Sequence, residues 1–179
     1  MNAGGGDEAV AQQPAGEQAP AAAPTPTTPT SARAGAGAEP ADKRHVVIIG
    51  FGLAGRAAVN NVIELGVSYT VIESNPDVVN RCLPGGLHII HGDAREAIVL
   101  RLAGITRATD VAVTIPEDEA ALAVVEQARK LNPAARIIAR CTFVSDGLEA
   151  TQRGADETVV AEQVVATEFG RVVHAALER

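Results

Sequence analysis

Tryptophan is absent from this 179-residue chain, and aromatic residues make up only 2% of it: Tyr69 is the one tyrosine, beside Phe51, Phe143 and Phe169. Any core must therefore be assembled from Val, Ile, Leu and Ala. Cysteine is nearly absent too. Cys82 and Cys141 are too few for a disulfide framework or a zinc knuckle, and they read as small hydrophobes of a reducing compartment. Basic charge is in deficit, with 15 Lys and Arg against 22 Asp and Glu and a net charge of -7. That balance excludes a general nucleic-acid binder, which needs a clustered basic surface to neutralise phosphates. No apolar run approaches the roughly 18–20 residues needed to cross a bilayer, so no direct membrane insertion is expected. The histidines offer no metal site: His45 and His174 read as surface residues, and His88 and His91 flank a strand at odd spacing.

Large aliphatic residues are missing from the first part of the chain. Between Asn2 and Asp42 only Val10 qualifies, and Pro14, Pro20, Pro24, Pro26, Pro29 and Pro40 punctuate the stretch. Such a segment cannot bury enough apolar surface to offset about 1–2 kcal/mol per ordered residue, so residues 1–42 are expected to be a disordered Ala/Pro-rich tail or linker. It lacks the basic start and apolar centre of a secretory signal, and its single arginine, Arg33, argues against a transit peptide.

Residues 43–179 are different. Short, β-branched apolar runs at His45–Ile49, Tyr69–Ile72, His88–Ile90, Val111–Ile115, Arg136–Ala139 and Thr158–Val160 read as strands buried on both faces. Helix signals lie between and after them. Leu53–Leu65 ends at Gly66, Asn75 caps Pro76–Leu83, Arg95–Ala103 ends at Gly104, and Glu117–Leu131 opens on three acids. Helices near Ser145–Arg153 and Glu162–Leu177 complete the series. The alternation predicts an α/β domain with a Rossmann-like, doubly wound, six-stranded parallel sheet.

Chemistry-bearing residues gather where strands meet helices. Gly50-Phe51-Gly52-Leu53-Ala54-Gly55 joins the first strand to the first helix. Gly50 permits the turn, Gly52 lets backbone approach a pyrophosphate, and Gly55 allows close helix packing. Phosphates would rest on the free N–H groups of the helix start, with Arg56 in reach of their oxygens. Glu73 ends the second strand, with Ser74 beside it, where a carboxylate accepts both hydrogen bonds from a ribose diol. That carboxylate would repel a 2′-phosphate, so NADP is disfavoured, while NAD(H), ATP, ADP and AMP remain open. Asp93, with Ala94, follows the third strand and can meet an adenine amino group, cap the next helix, or do both. Thr114 follows the fourth strand, where a dinucleotide's second half would lie, and Arg140 leaves the fifth toward the same crevice.

Taken together, Gly50-x-Gly52-x-x-Gly55-Arg56, Glu73, His91-Gly92-Asp93-Ala94, Leu102-Ala103-Gly104-Ile105, Ile137-Ile138-Ala139-Arg140 and Gly154-Ala155-Asp156-Glu157 resemble one family. It is the nucleotide-binding half of RCK domains (regulators of K+ conductance), also called the TrkA N-terminal domain, and the resemblance runs from residue 45 to about 174. Within that family the chain looks most like the regulatory domains of bacterial K+/H+ antiporters. The resemblance implies a cytoplasmic regulatory module, acting at the inner face of the membrane on a K+ channel, K+ uptake system or K+/H+ antiporter. It also implies NAD(H) or an adenine nucleotide as ligand, a homodimer or higher ring, and Glu162 facing a neighbouring subunit or ion. Two departures stand out: Ala120 and Ala121 occupy positions near which relatives often carry Asn, and no second ligand-sensing lobe follows the last helix. Met1 favours a stand-alone subunit over a detached transporter tail.

Val165, Phe169, Val172, Val173 and Ala176 line one face of the last helix, to pack on its own sheet or on a second subunit. The alternative function, a small NAD-dependent oxidoreductase, needs an acid-base pair. No Tyr-x-x-x-Lys is present, and Tyr69 starts a strand far from the crevice. No catalytic residue is assigned.

Overall fold

The computed structural model describes residues 44–178. The expected tail, residues 1–42, lies outside them. Six strands alternate with six helices: β1 (His45–Ile49), α1 (Leu53–Glu64), β2 (Ser68–Glu73), α2 (Pro76–Cys82), β3 (Ile89–His91), α3 (Ala97–Leu102), β4 (Asp110–Val113), α4 (Asp118–Leu131), β5 (Arg136–Cys141), α5 (Val144–Arg153), β6 (Glu157–Val160) and α6 (Ala161–Leu177). Single-turn helices at Leu83–Gly85 and Ile105–Arg107, unanticipated from the sequence, complete the list.

Every strand pair is parallel, and the order is β3-β2-β1-β4-β5-β6. The chain runs outward from β1 to β3 and returns to β4 on β1's other side. The carboxyl ends of β1 and β4 therefore frame a topological switch point, the place where open α/β sheets bind ligands.

β-branched side chains project from both faces of the central strands. On one face Val47, Ile49, Val111, Val113, Ile137 and Ala139 pack under α3, α4 and α5. On the other, Ile48, Val71 and Ile89 meet Val59 of α1 and Val79 of α2. Beyond β1 this second layer takes in, among the described residues, only Ala112 of β4. Past it, Ile138 is only half-buried and Val159 is exposed.

Local signals place most boundaries. The Asn75 side chain accepts the Asp77 and Val78 N–H groups, and Gly66 takes φ 66° just past α1. α3 starts two residues later than Arg95, because the Asp93–Glu96 segment makes a turn of its own, with the Glu96 N–H on Asp93 O at 3.0 Å.

One expectation needs correcting. His45 is 5% exposed, not a surface residue. As the first residue of a central strand it lies beneath the turn after α3, with Nε2 3.0 Å from Ala103 O and Nδ1 3.1 Å from Ser68 Oγ. Of the cysteines, Cys141 is buried and Cys82 half-buried. Burial, with Asp118 and Asp146 nearby, pushes the Cys141 thiol above its ordinary range.

Candidate functional site

The turn after β1 is built from three glycines with three different reasons to be glycine. Gly50 has φ 93°, and a side chain there would meet Ile115 Cγ2 at 3.0 Å. At Gly55 a Cβ would fall 2.0 Å from Gly50 O, so α1 can sit this close to β1 only without one. Gly52 is neither strained nor crowded: its φ is -73°, and an added Cβ would meet nothing within 4 Å. It is also the N-cap of α1, where Ser, Asp or Asn would stabilise the helix by a few tenths of a kcal/mol over glycine, yet no side chain among the described residues caps it. The protein's own packing therefore gives no reason for glycine at position 52. The space it leaves lies against the unpaired N–H groups and positive end of α1.

Glu73 ties this turn to β2. Its Oε2 accepts the Phe51 N–H at 2.8 Å and its Oε1 accepts the Asn75 N–H at 2.8 Å. A carboxylate offers about four acceptor positions, so one remains on each oxygen for a diol. Thr114 supports the turn from β4: its Oγ1 lies 2.8 Å from Ile49 O and 3.1 Å from Gly50 O.

A cleft of about 290 Å³ opens at the switch point, and five predicted residues line it: Gly50, Glu73, Ser74, Asp93 and Ala94. Arg95, Glu117 and Ala120, which the sequence reading did not assign to the site, line it as well. The other predicted residues lie outside this cleft. Phe51, Gly52, Leu53 and Gly55 form the turn and the helix start. Arg56 folds back on Phe51, its guanidinium carbon 5.4 Å from the ring centroid and its Nε donating to Phe51 O at 3.3 Å. Thr114 and Arg140 instead border an apolar groove of about 430 Å³ between α1 and α6, and the Arg140 guanidinium reaches Pro116 O at 3.5 Å.

Asp93 serves the chain around it. Its Oδ1 accepts the Arg95 N–H at 2.9 Å, and the Arg95 guanidinium closes on both carboxylate oxygens at 2.6–3.1 Å. The Arg95 side chain, its backbone N–H and its charge, in that order, hold the Asp93 carboxyl below its usual range. Gly92, beside it, is glycine for a packing reason: a Cβ there would lie 2.8 Å from Val99 Cγ1. Sequence gave no signal for Arg95, because side-chain pairing two residues apart in a turn depends on local backbone geometry.

Strand order, the glycine turn and the carboxylate at the end of β2 define a Rossmann-type domain with its cleft at the switch point. The TrkA-N domain model matches residues 46–161, and this chain belongs to that family.

Two of the relatives are named as ion-transport proteins. The chain is 28% identical over 122 residues to YbaL of Escherichia coli (strain K12), a candidate cation/proton antiporter, covering 68% of this chain and 22% of that one. It is 29% identical over 113 residues to the glutathione-regulated potassium-efflux system protein KefC of Cronobacter sakazakii (strain ATCC BAA-894), covering 63% and 18%. The chain thus spans about a fifth of the length of the relatives it matches. The crystal structure of the TrkA-N domain of E. coli inner membrane protein YbaL superposes with a TM-score of 0.69 at 26% identity, covering 72% of this chain and 96% of that one. The GsuK channel bound to NAD gives a TM-score of 0.67 at 28% identity, covering 77% and 24%. GsuK bound to ADP gives 0.67 at 27%, covering 75% and 35%. No helix among the described residues is long and apolar enough to cross a membrane.

Proposed function

We propose that this domain binds NAD(H) or an adenine nucleotide and regulates a membrane-embedded K+ channel, K+ uptake system or K+/H+ antiporter from the cytoplasmic side. The observation that carries the reading is Gly52. At an N-cap with open space around it, glycine costs the helix a cap and relieves no clash, and close approach of a phosphate to the N–H groups of α1 is what its bare backbone allows. The ribose would take the two remaining acceptor positions of Glu73, and the base would enter the cleft toward Asp93 and Ala94. Arg56 is placed to turn from Phe51 onto phosphate oxygens. A 2′-phosphate would face the Glu73 carboxylate, so NADP is rejected.

Regulation requires no catalytic group. A ligand that binds two arrangements of the domain with different affinity shifts them, and an attached transporter responds to the shift. The transport proteins among the relatives support that role, as do the nucleotides bound by GsuK.

Thermal unfolding with NAD, NADH, NADP, ATP, ADP and AMP tests the reading. A ligand at 100 times its dissociation constant stabilises by about 2.7 kcal/mol, a rise of several degrees for a domain of this size. A rise with NAD(H) or an adenine nucleotide but none with NADP is expected. No rise with any of the six at millimolar concentration would overturn the nucleotide reading.

A further inference from the structure

We infer that Arg95 sets base selectivity in the cleft: its guanidinium occupies the Asp93 carboxylate that an exocyclic amino group of a purine needs, so the base is read there only after Arg95 is displaced. The inference rests on the nucleotide reading above. Asp93 Oδ1 holds the Arg95 N–H at 2.9 Å and Nε at 3.1 Å, while Oδ2 holds Nε at 3.0 Å and Nη2 at 2.6 Å. Those bonds fill the acceptor positions of the carboxylate. An adenine 6-amino group reaching Asp93 therefore competes with the guanidinium, whereas the backbone bond can stay.

The competition is close enough to matter and weak enough to lose. Arg95 and Asp93 side chains are 61% and 37% exposed, so the pair is worth no more than an ordinary surface ion pair. Arg95 itself lines the cleft with Glu117 and Ala120, so its side chain lies in the space the ligand would enter. A released guanidinium also has a second acid to turn to. Glu119 in the first turn of α4 attracts Arg95 already, as does Glu96. Arg95 thus acts through Asp93, as an internal competitor that the 6-amino group must displace.

The test compares AMP with purine riboside 5′-monophosphate, which lacks only the 6-amino group, by titration calorimetry on the whole chain and on Arg95→Ala. AMP should bind Arg95→Ala about two- to fivefold more tightly, the range set by one exposed ion pair. Purine riboside monophosphate should be unchanged, and Arg95→Lys should fall between the two proteins with AMP. Equal tightening of both ligands would mean a general effect on the cleft and would overturn the inference, as would unchanged or weaker AMP binding. If the wild-type chain binds neither nucleotide, the nucleotide reading fails first and takes this inference with it. An unaltered melting temperature of Arg95→Ala without ligand would show that the fold is intact.

Discussion

Gly52 and Gly55 stand three residues apart in one turn, and the structure assigns them opposite sensitivities. Gly52→Ala adds a methyl group to open space, so the melting temperature without ligand should stay within a degree or two. The nucleotide-induced rise should disappear, because the methyl stands where a phosphate would approach the α1 N–H groups. Gly55→Ala forces a carbon to within 2.0 Å of Gly50 O. It should cost about 2–3 kcal/mol, seen as a fall of several degrees with or without ligand. Loss of stability in Gly52→Ala comparable to that in Gly55→Ala would return Gly52 to a purely structural role. Arg56 offers a second comparison. Arg56→Ala should weaken ATP more than AMP if its guanidinium turns from Phe51 onto phosphates as proposed, and equal weakening of the two would remove it from the site. Glu73 would combine both kinds of role. Glu73→Ala should lower affinity for every ribose-bearing ligand and also lower stability, because the Phe51 and Asn75 N–H groups lose their acceptor.

Secondary elements were legible in the sequence where their signals are local. Continuous Val and Ile runs marked the buried parallel strands, and Asn75-Pro76 marked the start of α2. The glycine motif and Glu73 were legible for the same reason, since one turn and one strand end bring them together. Apart from the Asp93–Arg95 pair, what was not legible depends on elements distant in the chain. His45 is buried only because the turn after α3 closes over it, and Gly92 is required only because Val99 packs above it. The link between α4, β5 and β6 is of this kind. Arg129 of α4 donates to Gly154 O at 2.8 Å and Ala135 O at 2.8 Å, and it meets Asp156 at 2.6 Å. Asp156 in turn accepts the Ile137 N–H at 2.7 Å. That backbone bond first, then Arg129, holds the Asp156 carboxyl below its ordinary range. A carboxyl depressed in the folded state contributes stability that is complete above its unfolded value, near 3.8, and is lost as pH falls from there through the folded value. Asp156→Asn should therefore cost on the order of 1 kcal/mol at pH 7 and flatten the acid end of the stability profile, as urea unfolding between about pH 2 and pH 7 would show. A variant with an unchanged acid slope would mean that Asp156 contributes nothing to it.

At the scale of the whole molecule, α6 is the element its own domain does not use. None of its described residues is buried, although Val164, Val165, Phe169, Val172, Val173 and Leu177 are all exposed apolar side chains. The sequence pattern could not decide between packing on its own sheet and packing elsewhere, because an apolar stripe looks the same in either case. Beside α6 lies the groove over the uncovered half of the sheet, bordered by Ala54 and Ala58 of α1 and by Ile138 and Val159. A homodimer, one of the assemblies that the family resemblance implies, would bury both, with α6 of each copy laid into the groove of the other in a self-complementary contact. Phe169, 69% exposed near the middle of the helix, would be its anchor. Sedimentation equilibrium should find a wild-type dimer, and Phe169→Asp should weaken it by at least about 30-fold, the loss expected for a buried aromatic anchor. A wild-type chain that stays monomeric at about 100 µM would overturn this assembly. The same geometry would couple assembly to ligand. α1 begins at the turn that would hold the phosphates, and the alanines lining the groove, Ala54 and Ala58, lie in its first and second turns. Nucleotide that fixes the start of α1 should therefore change the dimer constant, by about 5- to 150-fold if the coupling is of ordinary size, and dimerisation should change nucleotide affinity by the same factor. A dimer constant unmoved by saturating AMP or NAD, in a protein that binds them, would leave α1 as a binding element only and would require the signal to leave the domain by another route.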